Sequence, residues 1–282
     1  AFANEYDQTV DKYQALLKKN PSDSEAIYYL ASFLAQCNED AKSLKVLSLI
    51  KADDTRFHPR SLCLQGGILL RNDKYDNAAE LFQQALAVDG NLMPALLGLG
   101  QARLLAGQRE AAAEQFEKIL AREPKHPLAS YYQGIIEEDR NPTRSHELLL
   151  QASATPSLAR DAHRRLGRLA FFASDYAKAV EEFHLAEDAG EHASWFLYFY
   201  AFALAMQKQM VKCEQELVKI LGRRSEDANW RQDAGRAMYT MGMKLFEQRQ
   251  FRLAYQCFEY VREHTKDAAQ LSHLDHLLEE TR

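Results

Sequence analysis

Apolar residues recur at i, i+3, i+4 and i+7 along most of this chain, the period of an amphipathic helix, and short polar breaks interrupt them. Residues 61–70 predict a helix, Asn72-Asp73-Lys74 a turn, and residues 75–88 a second helix that ends at Asp89-Gly90-Asn91. The pattern returns in 95–106, the break Gly107-Gln108 and 109–122 before Pro124, and again in 159–173, the break Ser174-Asp175 and 176–189 before Gly190. Small residues hold a fixed phase in this series. Gly66, Gly100 and Gly134 stand 34 residues apart, Gly167 follows after 33, Ala201 after 34 and Gly242 after 41. Twelve residues beyond each come Ala78, Ala112, His146, Ala179, Cys213 and Ala254, and four further on Phe82, Phe116, Leu150, Phe183, Leu217 and Phe258. Such a period with small residues in phase predicts stacked helical hairpins.

These residues resemble the tetratricopeptide repeat, whose pattern sets Leu-Gly in a first helix, Ala and an aromatic in a second, and Pro at the end. The third repeat supplies Leu96, Leu99, Gly100, Ala112, Phe116 and Pro124; the second Leu62, Gly66, Tyr75, Ala78, Phe82 and Ala85; the seventh Gly242, Phe251, Ala254 and Phe258. The resemblance covers nearly the whole chain. It implies an all-α, right-handed superhelical solenoid of antiparallel helix pairs, forming one domain over 1–282. Seven repeats fill 24–266, starting near Ser24, Pro59, Met93, Pro127, Arg160, Ser194 and Gly235. A half-repeat helix precedes them in 1–21, with Tyr13 and Leu16 in core phase. A capping helix follows in 267–282, with Leu271, Leu274, Leu277 and Leu278 on one face. The glycine and the alanine of each repeat are expected to meet where the helices cross, the aromatic filling the space beyond. A larger side chain at the glycine would cost roughly 1–3 kcal/mol.

The series falters twice. Repeat four is one residue short and carries Asn141-Pro142-Thr143 in its turn, which predicts a shortened second helix over 144–154. Seven extra residues, about 225–231 and including Trp230, precede repeat seven. Seven residues make two helical turns, so the first helix of that repeat should be elongated.

Composition narrows the function. Apolar residues are 46% and charged residues 27%, which fits an ordered chain. A net charge of −5 and a pI near 6.0 disfavour broad binding to nucleic acid or anionic membrane. No apolar run reaches the roughly 18 residues that span a bilayer; the longest, 193–206, fits a buried helix. Cys37, Cys63, Cys213 and Cys257 match no zinc or redox spacing, and reduced packing cysteines favour the cytoplasm. The cytoplasm is therefore the leading expectation, and Ala1-Phe2-Ala3, which has the shape of a signal-peptidase site, makes export or a periplasmic location the alternative. The glycines lie at repeat spacing rather than in a phosphate-binding loop. His273 and His276, near Asp275, lack a third metal ligand and fit a solvated face. No catalytic, cofactor or metal site is assigned, and no enzymatic activity is expected.

In the family the resemblance points to, first helices line a concave groove. The groove positions here are Tyr131, Arg164, Arg168, Trp195, Tyr198, Phe202, Tyr239 and Met243. The aromatic members either grip an apolar segment of a partner or pack against the capping helix, and Phe196 and Phe199 cannot all share the groove with Trp195 and Tyr198. Arg160, Arg164, Arg165 and Arg168 crowd one helix beside His163. They suit a carboxylate or phosphate, unless Glu137, Glu138 and Asp139 neutralise them. The Lys and Asn pattern that clamps chaperone Glu-Glu-Val-Asp tails is absent from the groove phases. The expected function is a protein-interaction scaffold or adaptor that holds a peptide or helix of a protein partner. The alternatives are an assembly or structural subunit working through its convex face or ends, homo-oligomers included, and a binder of an acidic ligand or nucleic acid through the 160–168 helix.

Overall fold

The computed structural model describes residues 2–221, 228–264 and 268–281, and the described residues form helices joined by turns. In chain order these are α1 (Phe2–Lys19), α2 (Ser24–Gln36), α3 (Asp40–Leu47), α4 (His58–Arg71), α5 (Tyr75–Val88), α6 (Met93–Leu105), α7 (Arg109–Leu120) and α8 (Pro127–Glu137). They continue with α9 (Pro142–Ser153), α10 (Pro156–Phe172), α11 (Tyr176–Asp188), α12 (Ser194–Met206), α13 (Met210–Leu221), α14 (Ala228–Glu247), α15 (Phe251–His264) and α16 (Ala268–Glu280). The chain is all-α, and its helices pack in sequential pairs. They gather into two compact bodies, Ala1–Ile136 and Glu137–Arg282.

In the N-terminal body α2 pairs with α3, α4 with α5 and α6 with α7, and the first helices α2, α4 and α6 touch in series. The glycine phase explains how the hairpins close. A methyl group added to Gly66 would lie 2.7 Å from the Phe82 ring, and one on Gly100 would lie 2.6 Å from Phe116. The aromatic ring itself, rather than the alanine, is therefore the glycine's close neighbour. Repeat one solves the same crossing differently. Ala31, Ser43 and Leu47 are buried in those three phases, and the Ser43 hydroxyl donates to the Ala31 carbonyl at 2.8 Å. At the N-terminal end Leu16 is exposed, whereas Leu17 packs on the core of Ile27, Ala31 and Leu47. Of the two core positions expected there, Tyr13 is half-buried and Leu16 gives way to Leu17.

In the C-terminal body α10 pairs with α11, α12 with α13 and α14 with α15, and α10, α12 and α14 lie side by side. Gly167 abuts Phe183, and Gly242 abuts Phe258, with hypothetical methyl contacts of 2.4 and 2.5 Å. Repeat six keeps the volume with Ala201 and Leu217, both fully buried. α14 runs for 20 residues against 13 in α12, as the insertion predicts. Residues 225–227 of that insertion and the side chain of Trp230 lie outside the described residues, as does the side chain of Leu271. Leu274, Leu277 and Leu278 of α16 are buried.

Repeat four departs from expectation. α9 starts at Pro142, two residues early, because Asn141 caps it: its side chain accepts from the Arg144 N–H at 3.1 Å. α9 has 12 residues, as many as α7, so it is not shortened; the short second helix is α3, with 8. Ser145 and Leu149 are buried, while His146 is half-buried and Leu150 half-exposed. The missing residue therefore moves the core phase one position earlier than the fixed spacing puts it. The hairpin turn changes too. Other repeats place one residue in the left-handed region, Asn38, Asp73, Gly107, Ser174, Lys208 or Arg249, whereas Asn141 has φ −143°.

Candidate partner-binding surface

α12 carries aromatics on nearly every face, and helical spacing sorts them. Phe196 and Tyr200 share one stripe and pack on Phe183, at 5.4 and 6.1 Å between ring centroids. Tyr198 and Phe202 share a second. Tyr198 is 7% exposed and Phe202 6%, and Phe171 and Tyr176 cover Phe202 at 5.2 and 6.1 Å. Burial also pushes the Tyr198 phenol well above its ordinary range. These two side chains, expected to line an open groove, are core. Phe171 and Tyr176 reach over Phe202 from the neighbouring hairpin, and Tyr198 packs against Phe202 and Phe199.

Trp195 and Phe199 form the third stripe, and it reaches solvent. The rings stand edge-on at 6.2 Å, and Phe199 meets Phe172 of α10 at 6.0 Å. Trp195 is 37% exposed and Phe172 70%. On α10, Arg164, Arg168 and Phe172 recur every four residues and so share a face. The Arg164 guanidinium lies over the Trp195 ring at 5.3 Å, a cation–π contact. Arg164, Arg165, Arg168 and Trp195 line a recess of about 220 Å³.

The arginines do have carboxylate partners. Arg165 donates to Glu138 at 2.8 Å, and Arg168 donates to the other oxygen of the same carboxylate. Arg164 pairs with Asp161 at 2.9 Å and with Glu191 at 3.6 Å. Glu191 also accepts from the Ala193 N–H at 2.9 Å, which ties the start of α12 to α10. Of the acids expected to neutralise this cluster, Glu138 does so; Asp161 and Glu191 were not foreseen. Glu137 instead lies 3.9 Å from Arg144. His163 is joined to Glu182 at 2.8 Å inside the α10–α11 hairpin, away from the recess lining.

The other groove candidates lie elsewhere. Tyr239 of α14 is half-buried and hydrogen-bonded to His273 of α16 at 3.0 Å, so the capping helix engages its hydroxyl. Met243 packs on the core of the same body. Tyr131 belongs to α8, half-buried and edge-on to Tyr132 at 5.3 Å. Within the C-terminal body the geometry thus joins Arg164, Arg168 and Trp195 and separates them from Tyr198, Phe202, Tyr239 and Met243; Tyr131 belongs to the N-terminal body. Phe172 and Phe199 complete the surface. Counting four residues on from Arg168 would have found Phe172.

Among the described residues no helix is long and apolar enough to cross a membrane. Residues 69–134 match the family model of the tetratricopeptide repeat. Superkiller protein 3 of Saccharomyces cerevisiae is 31% identical over 114 residues, 39% of this chain and 8% of that protein. The Tetratricopeptide repeat protein 30 homolog of Drosophila pseudoobscura pseudoobscura is 27% identical over 129 residues, 46% of this chain and 19% of that protein. The matches therefore span under a fifth of these relatives' lengths. Among solved structures, the type IV pilus biogenesis factor PilW superposes with a TM-score of 0.62 at 16% identity, over 72% of this chain and 95% of that one. A tetratricopeptide repeat protein from Parabacteroides merdae gives 0.52 at 16% identity over 99% of both chains. YrrB, described as having an unusual peptide-binding site, gives 0.51 at 16% identity over 70% of this chain and 97% of that one. At these identities the likeness speaks for the fold; the family match over residues 69–134, with the repeat phases, shows that this chain carries tetratricopeptide repeats.

Proposed function

We propose that this chain is a non-enzymatic interaction scaffold that takes a segment of a partner protein on the surface formed by α10 and α12. The observation that carries this reading is the run Phe172–Phe199–Trp195, in which a phenylalanine 70% exposed continues into a half-exposed tryptophan. Exposed aromatics in contact with one another are uncommon on a surface that meets only water, and they supply large contact area at low entropy cost. The family's general role in protein interaction agrees with it. A nucleic-acid reading of the 160–168 helix has less support, because Arg164, Arg165 and Arg168 already face carboxylates.

A second reading, a subunit that docks through its outer face, draws on Val211 and Val218. They stand seven residues apart on α13, 73% and 58% exposed. A photo-crosslinking phenylalanine analogue placed at position 172 in one sample and at 211 in another separates the two. Adducts formed from 172 and identified by mass spectrometry support the α10–α12 surface. Adducts formed from 211 alone reject it in favour of the outer face.

A further inference from the structure

We infer that the α10–α12 surface selects a peptide in which an acidic residue stands a few positions from an aromatic one. This inference rests on the reading of that surface as the partner site and names the chemistry of its occupant. The first support is the layering of charge. Arg168 is 39% exposed, whereas the Glu138 carboxylate that holds it is 8% exposed; Arg164, 23% exposed, lies between Glu191 at 9% and Asp161 at 28%. At Arg168 the acid sits behind and the guanidinium in front, so a segment approaching there meets positive charge and N–H donors. The Nε of Arg164 is buried and has no acceptor among the described residues. Arg160, half-exposed and paired only loosely with Asp161 at 3.4 Å, extends the basic edge.

The second support is the order of side chains along α10. Arg164, Arg168 and Phe172 follow one another at one-turn intervals, and Trp195 and Phe199 flank them from α12. At 1.5 Å per residue, the guanidinium positions lie about 6 and 12 Å along the helix from Phe172. An extended peptide advances about 3.3 Å per residue, so a carboxylate over the arginines and a ring against Phe172 and Phe199 are about two to four residues apart. The planar fork of arginine suits a carboxylate, and the exposed rings suit an aromatic or large apolar side chain.

The test pans a random-peptide phage library against the wild-type chain and against Arg168→Gln, Arg168→Lys and Phe172→Ser. Circular dichroism and melting confirm that each variant is folded. A consensus peptide is then titrated into the Trp230→Phe chain, where Trp195 is the remaining tryptophan and reports binding by its emission. The expected result is enrichment of peptides with Asp or Glu two to four positions from Phe, Tyr or Trp. Their affinity should fall about tenfold or more in Arg168→Gln and less in Arg168→Lys, and it should weaken with salt. Enriched peptides that are aromatic but carry no acid, or that bind Arg168→Gln as well as wild type, overturn the inference and leave the partner surface standing. Enrichment that is unchanged in a Phe172→Ser/Trp195→Ser chain, or absent from wild type, overturns both.

Discussion

The α6–α7 and α10–α11 hairpins share a skeleton and differ in what they show to solvent. In each, a glycine lies against the ring sixteen residues later, Gly100 on Phe116 and Gly167 on Phe183, and Ala112 and Ala179 are fully buried in the same phase. At three phases of the first helix the two diverge. Leu97, Gln101 and Leu105 stand in α6 where Arg164, Arg168 and Phe172 stand in α10. Gln101 donates to the Tyr132 hydroxyl at 2.8 Å, while Arg168 meets the buried carboxylate of Glu138 beside an exposed aromatic run. One set of positions makes the repeat, and a separate set makes this repeat particular.

The largest effects should fall on the shared skeleton. Phe116→Ala and Phe183→Ala should each lose about 3–5 kcal/mol in urea denaturation, since each empties a fully buried ring site. A comparable loss from Leu97→Ala or Phe172→Ala would erase the distinction between the two sets. Next comes the glycine contact. Gly167→Ala should cost roughly 1–3 kcal/mol by overpacking against Phe183, and Phe183→Leu in the same chain should relieve part of it, as Ala201 and Leu217 do in repeat six. Gly67 has no atom within 4 Å of an added methyl group, so Gly67→Ala should stabilise by about 0.5–1 kcal/mol.

The turns sharpen the comparison further. Gly107 has φ 79° and Ser174 φ 61° at the same phase of the two hairpins. Ser174→Gly should raise the melting midpoint, and Gly107→Ser should lower it, each by roughly 0.5–1 kcal/mol in stability. A last effect is confined to alkaline solution. Burial first, with nearby Glu187 and Glu216, pushes the Tyr200 phenol up to about 12 from an ordinary 10. The folded value lies above the unfolded one, so this stabilisation is complete below about pH 10 and is lost as pH rises from 10 towards 12. Ultraviolet titration of phenolate should show Tyr200 ionising late, and Tyr200→Phe should flatten stability across that window.

The repeat was legible because the glycine and the phenylalanine of a hairpin constrain each other through one contact, which leaves the same spacing in repeats two, three, five and seven. It failed where a residue is missing. In repeat four the buried pair is Ser145 and Leu149, one step before the His146 and Leu150 that a fixed ruler selects. At the N-terminal helix only one position moved, Leu17 in place of Leu16, while Tyr13 is half-buried as expected. The surface was half legible. The groove positions of the resembled family grouped Arg164, Arg168 and Trp195, but they could not tell that Phe171 and Tyr176 would bury Phe202 from another hairpin. Nor could it tell which acid would meet which arginine, because Glu191 and Glu138 arrive from the turns that flank neighbouring helices.

The central claim is that Phe172 and Trp195, the exposed ends of the aromatic run on α10 and α12, are not needed by the fold and are therefore available to a partner, while Phe199 between them packs on the core. Urea denaturation of the Phe172→Ser/Trp195→Ser chain beside Tyr198→Ala tests it most directly. The double variant should unfold within about 1 kcal/mol of wild type, and Tyr198→Ala, which empties a core site, should lose about 3 kcal/mol or more. Equal losses in the two chains would place Phe172 and Trp195 among the residues that hold the fold and would contradict the account.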